Sequence, residues 1–276
     1  MTTGSKPESK EGITRLAKLV WENGEVAADE DYTAQEVPIA FEYNCVSHAV
    51  MMATPNDLVD FAVGFSLSEQ IIESAIDLLD TEIVDADGGK VISMIISESQ
   101  LNKLKGQRRA LVGRTGCGVC GAETIAQALK PAALVSNTLV GVTHQAIQVA
   151  LGSLSEHQVL NQSTGAIHAA AWCDLAGNIK VVREDVGRHN ALDKLLGAMA
   201  RDGDSGDGFV LVTSRASYEM VSKVASANIC LLAAVSAPTS LAIALAEESG
   251  LSLVGFSRPD RHVIYSNEQR LVSETV

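Results

Sequence analysis

No apolar run in this 276-residue chain is long enough to cross a bilayer. The longest, Ile229 to Ala246, is broken by Ser236, Pro238, Thr239 and Ser240, whereas a spanning helix needs about 20 mostly apolar residues; it reads as strand, turn and helix. Met1 to Gly12 is polar and has no apolar core segment, so neither a secretory signal nor an anchor is expected. The expected compartment is the cytoplasm, with no membrane partner. Positive charge is also scarce. A formal net charge of -13 argues against a nucleic-acid partner. Cysteines are few and odd in number, at 45, 117, 120, 173 and 230, and a chain without an export signal keeps its thiols reduced, so a disulfide scaffold is not expected. A Gly-rich P-loop and a dinucleotide fingerprint are both missing, which leaves an ordinary NTPase or Rossmann reading without support.

What is present begins with 46% apolar residues, ample for one large α/β domain or two smaller ones. The most informative segment is Gly113-Arg-Thr-Gly-Cys117-Gly-Val-Cys120-Gly-Ala122. Two thiols three positions apart sit among glycines. No carboxylate occurs between Glu98 and Glu123, while Lys103, Lys105, Arg108, Arg109 and Arg114 all do. Neighbouring cations favour the thiolate, which is the form that attacks sulfur or holds a metal. Glycines 113, 116, 118 and 121 disfavour helix and strand, and the segment reads as a mobile, presented loop that a reactive partner can approach closely.

Along the chain, residues 1–30 read as a flexible tail with one short helix near Ile13 to Trp21. Residues 31–135 read as a smaller β-rich α+β region ending in the cysteine loop. Within it, Glu36 to Asn44 and Cys45 to Met52 form strands around a turn at Asn44. Thr54-Pro55-Asn56-Asp57 reads as a helix start with Thr54 as cap, and Asp87-Gly88-Gly89 marks a hairpin. Residues 136–276 read as an α/β domain. Gly177-Asn178 marks another hairpin there, and a helix over Ala191 to Ala200 precedes strands at Phe209 to Thr213, Ile229 to Val235 and Leu251 to Phe256. Helices at Ser217 to Asn228 and Ser240 to Glu248 alternate with them, which implies βαβ units with parallel strands.

Ligands of open α/β sheets collect outside the carboxyl ends of the strands. Those ends carry Ser214-Arg215, Ser236-Ala-Pro-Thr-Ser240 and Phe256-Ser257-Arg258-Pro259-Asp260-Arg261. Three arginines and several hydroxyls facing one crevice suit a phosphate-bearing ligand, since guanidinium grips phosphate oxygens bidentately and helix N-termini add backbone donors.

Taken alone, the Cys117/Cys120 pair supports redox exchange, sulfur carriage or half of a zinc site. A structural zinc site needs four ligands, usually with a second close pair that the sequence lacks, so no metal ligand set is assigned. A thioredoxin-like pair would lead from a strand directly into a helix. Sulfur carriage, with Cys117 taking a sulfane sulfur as a persulfide and Cys120 assisting, is favoured. Cys45, Cys173 and Cys230 read as structural. His168 and His189 are balanced between ligand contact and packing, and Glu184-Asp185 with Arg188 reads as a helix-start cap and local ion pair.

Several segments together resemble the formate dehydrogenase accessory sulfurtransferase family, FdhD. They are Met52-Ala-Thr-Pro55, Gly113 to Gly121, Ser163-Thr-Gly-Ala-Ile-His168, the run of twelve from Arg183 to Lys194, Ser214-Arg215, Tyr218-Glu-Met-Val221, Ser236-Ala-Pro-Thr239 and Gly255-Phe-Ser-Arg258. The resemblance implies a cytidine-deaminase-like C-terminal α/β domain without the deaminase zinc ligands, and a homodimer. It also implies a sulfurtransferase that takes sulfur from a cysteine desulfurase, with Cys117 as the persulfide position and Cys120 its companion. The implied destination is a molybdenum or tungsten bis(molybdopterin guanine dinucleotide) cofactor, bound as substrate through Phe256 to Arg261 before insertion into formate dehydrogenase. No permanent cofactor is implied. Alternatives from other classes are a cofactor-binding chaperone without sulfur transfer and a zinc-binding regulatory module. Three positions depart from the family pattern: Cys45 and Gln70 stand where glycine is usual, and Thr213 replaces a small residue before Ser214-Arg215, which places an extra methyl beside the expected ligand.

Overall fold

The computed structural model describes residues 9–112, 133–136, 141–203 and 206–273. The chain opens with a ribbon of β1 (Ser9–Lys10), β2 (Ile13–Glu22) and β3 (Glu25–Ala34). The expected tail and short helix are therefore replaced by a hairpin. Its cause is Asn23-Gly24, whose φ values of 51° and 93° suit the primed turns that match strand twist. Cross-strand Lys18–Asp31 (3.0 Å) and Arg15–Glu30 pairs fix the register along the ribbon.

A four-stranded sheet follows, in the order β5-β4-β7-β6. It contains β4 (Val37–Tyr43), β5 (Val46–Ala53), β6 (Asp80–Ala86) and β7 (Gly89–Ile95), with α1 (Leu58–Ser68) and α2 (Glu98–Val112). The two hairpins read from Asn44 and from Asp87-Gly88-Gly89 are both present. Alternation in β4 sends Ile39, Phe41 and Tyr43 to one face, where they are fully buried against Phe61 and Phe65 of α1 and Ile92 and Met94 of β7. Phe41 and Phe61 meet edge to face at 5.0 Å.

The second half holds β8 (Val142–Thr143), α3 (His144–His157), α4 (Val159–Thr164), β9 (His168–Asp174), β10 (Ile179–Asp185) and α5 (Arg188–Asp202). There follow β11 (Gly208–Val212), α6 (Tyr218–Ser226), β12 (Leu231–Ala234), α7 (Ser240–Ser249), β13 (Ser252–Arg258), β14 (Arg261–Ser266) and β15 (Leu271–Val272). Six strands form one sheet in the order β10-β9-β11-β12-β13-β14. Its centre, β11 to β13, is parallel, as the alternation with α6 and α7 requires, and its flanks are antiparallel. One face buries Leu192 and Leu195 of α5, Val221 and Val224 of α6 and Leu245 of α7. The other buries Ile147, Ala150 and Leu154 of α3.

α1 and α5 join the two halves by a close crossing. A Cβ added at Gly64 would lie 1.7 Å from the Asp193 carbonyl oxygen, and one at Gly197 would lie 1.9 Å from that of Asp60. Only glycine permits this approach at either position. Thr54 does not cap α1, whose N-cap is Asp57 in a left-handed conformation with no side-chain bond. Its hydroxyl and amide are taken instead by Asp185, 131 residues away.

Candidate functional site

The six-stranded sheet brings one set of segment ends to a common edge. β11, β12 and β13 deliver Thr213-Ser214-Arg215, Val235 to Thr239 and Phe256-Ser257-Arg258. β9 runs antiparallel to β11, so it begins at this edge with His168, opposite Asp185 at the end of β10. Gly187, Arg188 and His189 then open α5. The loops here are stitched together: Ala216 bridges Pro238 in parallel, Thr239 N–H donates to the Ala216 carbonyl (3.0 Å), and Phe256 N–H donates to the Ser236 carbonyl (3.1 Å).

Ser214 is buried with its hydroxyl on the Arg215 carbonyl (3.0 Å), while the Arg215 side chain is exposed. Phe256 has φ 50° and is 39% exposed, an apolar ring held out to solvent from a strand that is otherwise buried up to that point. Arg258 is exposed and donates from Nη1 to the carbonyls of Val235 and Ser257, so its guanidinium lies over the end of β12. Ser257 is fully buried, and its Oγ has no hydrogen-bond partner among the described residues; the same holds for Ser217 Oγ and Arg188 Nε. Buried polar atoms left unpaired are costly. Three of them on segments meeting one edge fit a polar ligand with acceptor oxygens.

Asp260 and Arg261, the latter paired across the turn with Arg258, meet α3. Asp260, at φ 59°, donates its amide to Gln148 Oε1 of α3 (3.0 Å). Arg261 lines a shallow cavity of about 430 Å³ with His144, Gln145, Gln148, Asp260 and His262. The expected cofactor segment is thus divided, with Phe256, Ser257 and Arg258 beside Ser214 and Arg215, and Asp260 and Arg261 beside α3. Thr213, expected to place a methyl beside a ligand, engages its hydroxyl within the sheet. Its Oγ1 accepts from Ala169 N–H (2.9 Å) as its own amide donates to the Ala169 carbonyl (3.0 Å).

Residues 117 and 120 lie outside the described residues. The other thiols are placed. Burial, with a smaller contribution from Asp174, pushes the Cys173 thiol up to about 12, and burial also raises Cys230. Both are therefore inert at neutral pH. Cys45 is exposed in the β4–β5 turn at φ 62°, and Gln70 has φ 58°. Both departures from glycine thus fall at left-handed positions.

His168 is lowered below its ordinary value by burial first and by Arg188 second, with Asp185 opposing. His189 Nε2 lies 2.7 Å from the Glu219 carboxylate and holds that carboxyl below its ordinary value, tying the starts of α5 and α6 together.

Sequence reasoning missed the polar knot behind the edge. Asp185 is not a local cap alone. Its Oδ1 accepts from Gly187 N–H (2.7 Å) and Asn190 Nδ2 (3.0 Å), while its Oδ2 meets Lys194 Nζ at 2.7 Å and accepts from Thr54 N–H and Oγ1. Lys194 Nζ also donates to Thr54 O and Oγ1, each at 3.0 Å, so its three protons have three acceptors. Glu184 accepts the amides of Leu160 and Asn161 at the start of α4. Around it, Asp60 of α1 receives Arg183 (2.7 Å) and Arg201, and Asp193 receives Ser68 and Lys223. The density of charge in Arg183 to Lys194 was visible; partners more than 100 residues away were not.

Among solved structures, the mixed α/β fold matches that of a protein described as a formate dehydrogenase accessory protein from Desulfotalea psychrophila, with TM-score 0.73 and 24% identity over 94% of this chain and 98% of that one. The architecture is therefore the mixed α/β fold of that protein. Residues 34–272 match the FdhD/NarQ family model, and the chain belongs to that family. It is 51% identical over 255 residues to a sulfur carrier protein FdhD of Cupriavidus necator, covering 92% of this chain and 88% of the relative. It is 52% identical over 273 residues to that of Xanthomonas euvesicatoria pv. vesicatoria, covering 98% and 96%.

Proposed function

We propose that the protein is a sulfur carrier serving formate dehydrogenase. In this reading, Cys117 takes sulfur from a cysteine desulfurase as a persulfide and passes it to the molybdenum or tungsten of a bis(molybdopterin guanine dinucleotide) cofactor. The observation that carries it is the family match, which runs through both the Cys117/Cys120 segment and the strand-end edge, in a chain about half identical to named sulfur carriers. The Cys117 thiolate attacks the outer sulfur of the desulfurase persulfide; that S–S bond breaks, the desulfurase thiolate leaves, and Cys117 holds zero-valent sulfur. Delivery as sulfide needs two electrons. Attack of the Cys120 thiol on the inner sulfur supplies them, forming a Cys117–Cys120 disulfide and releasing the outer sulfur as hydrosulfide to the metal. A cytoplasmic dithiol then restores both thiols.

Nucleotide phosphates suit the edge because Arg215 and Arg258 supply exposed guanidiniums, Ser257 and Ser217 supply unpaired hydroxyls, and Phe256 offers a face on which a guanine can stack. The same reading treats residues 31–135 and 136–276 as two domains, the second deaminase-like in fold, and the working species as a cytoplasmic homodimer. Intact-mass measurement after incubation with desulfurase and cysteine tests the carrier role. One added sulfur per chain, lost in Cys117→Ala, is the expected result; equal sulfur on the variant refutes it.

A further inference from the structure

The turn between β13 and β14 is tied to α3 through a chain of hydrogen bonds whose direction is fixed at one end. Asp260 N–H, which can only donate, points at Gln148 Oε1 (3.0 Å). Gln148 therefore presents its NH₂ to His262 Nδ1 at 3.1 Å, and that nitrogen must accept. A neutral His262 then carries its proton on Nε2, which lies 2.9 Å from His144 Nδ1. His144 must accept in turn, and its own proton sits on Nε2. The two ring centroids are 5.1 Å apart and the ring planes differ by 21°, the side-by-side arrangement an in-plane N–H···N bond requires.

The chain closes only while both imidazoles are neutral. A proton on His262 Nδ1 would face the Gln148 NH₂, and one on His144 Nδ1 would face the His262 N–H. His144 is also the first residue of α3, capped by Thr143. Asp260 and Arg261 are the charged residues lining the adjoining cavity, and Arg258 across the turn is bound to the Val235 and Ser257 carbonyls. Gln145 and Gln148 face the pair from α3, whose Glu156 and His157 lie at its other end; Lys180 of β10 is engaged by Asp174 (2.9 Å).

We infer that Gln148, His262 and His144 are positioning residues for the Phe256–Arg261 turn, holding Arg258 in register at the strand-end edge for a nucleotide diphosphate while both imidazoles are neutral. This rests on the strand-end reading above. Burial first, and His144 second, lower His262 below its ordinary 6.5. The turn is therefore held at neutral pH and released as pH falls through that lowered value.

The test uses the full chain and guanosine diphosphate as probe. Imidazole ¹⁵N spectra and the Asp260 amide signal are followed from about pH 8 to about pH 5, with calorimetric nucleotide titration at each end. The expected results are a His262 Nε2–H tautomer at the upper end, an Asp260 amide that follows the His262 titration, and nucleotide affinity about tenfold weaker at the lower end. Gln148→Glu accepts from Asp260 N–H and from a protonated His262 alike, so it is expected to raise the His262 titration and flatten the nucleotide profile. A His262 Nδ1–H tautomer in the wild-type protein, or an Asp260 amide indifferent to that titration, overturns the hydrogen-bond chain whether or not nucleotide binds. Absence of nucleotide binding at the upper pH in a protein with the expected tautomer overturns the strand-end reading, and the positioning role with it.

Discussion

Replacing Lys194 with methionine perturbs the molecule at the point where its two halves share charge. Lys194 and Asp185 have no exposed side-chain surface. Burial pushes the Lys194 ammonium below its ordinary value, against the pull of Asp185, so the pair persists because its geometry is saturated. Lys194→Met keeps most of the volume and the contact with Phe61, over which Nζ sits at 5.6 Å. It strands the Asp185 carboxylate and leaves Thr54 O without its donor. Removing one partner of a buried pair costs about 3–5 kcal/mol. At about 2–4 °C per kcal/mol for a protein of this size, melting should fall by roughly 6–20 °C. Scanning calorimetry with urea denaturation checks both figures. Asp185→Leu with Lys194→Met removes the stranded charge and its ion pair together, so the double variant should recover part of the loss even though Thr54, Gly187 and Asn190 lose their carboxylate acceptor. A single variant melting within about 2 °C of wild type, or a double variant no more stable than the single, refutes the account.

Gly197→Ala should destabilise by about 1–3 kcal/mol, because the new methyl meets the Asp60 carbonyl and the helices must separate; an unchanged urea midpoint would remove the crossing from the argument. Cys45→Gly should stabilise by about 1 kcal/mol, since an L side chain at φ 62° carries left-handed strain that glycine lacks, and thermal melting reads the gain. Stability should fall as pH drops below 6.5, because His168 and His262 are lowered by burial and the unfolded chain binds protons before the folded one. Their contribution is fully present above 6.5 and is lost towards the folded values; paired urea curves near pH 7.5 and 5.5 should converge in a His168→Gln, His262→Gln variant.

Local chemistry made much of the fold legible. Asn44 and Asp87-Gly88-Gly89 marked two hairpins, and alternating apolar strands and helices after Gln162 marked the parallel centre of the large sheet. Asn23-Gly24 carried an equally good turn signal, but Leu16, Leu19 and Trp21 are exposed on the ribbon, so no buried-face pattern reinforced it. α3 escaped notice because its buried stripe of Ala146, Ile147, Ala150 and Leu154 is diluted by small and polar residues. At the edge, the segments were legible because strand ends follow from topology. The division of Phe256 to Arg261 was not, since it depends on a left-handed Asp260 and on one bond to Gln148. Thr54 looked like a cap for the same reason: its sequence neighbours suit that role, and its actual partners arrive from a distant strand and helix.

The backbone crossing of α1 and α5 should hold the halves together even without a peptide connection between them. Glycine notches and a closed set of buried charges give each half a shape the other alone completes. Two polypeptides ending and beginning between 112 and 133 should therefore find each other in one cell and reassemble. In such a split protein the chain carrying the thiols could be exchanged, lengthened or labelled while the strand-end edge stays the same.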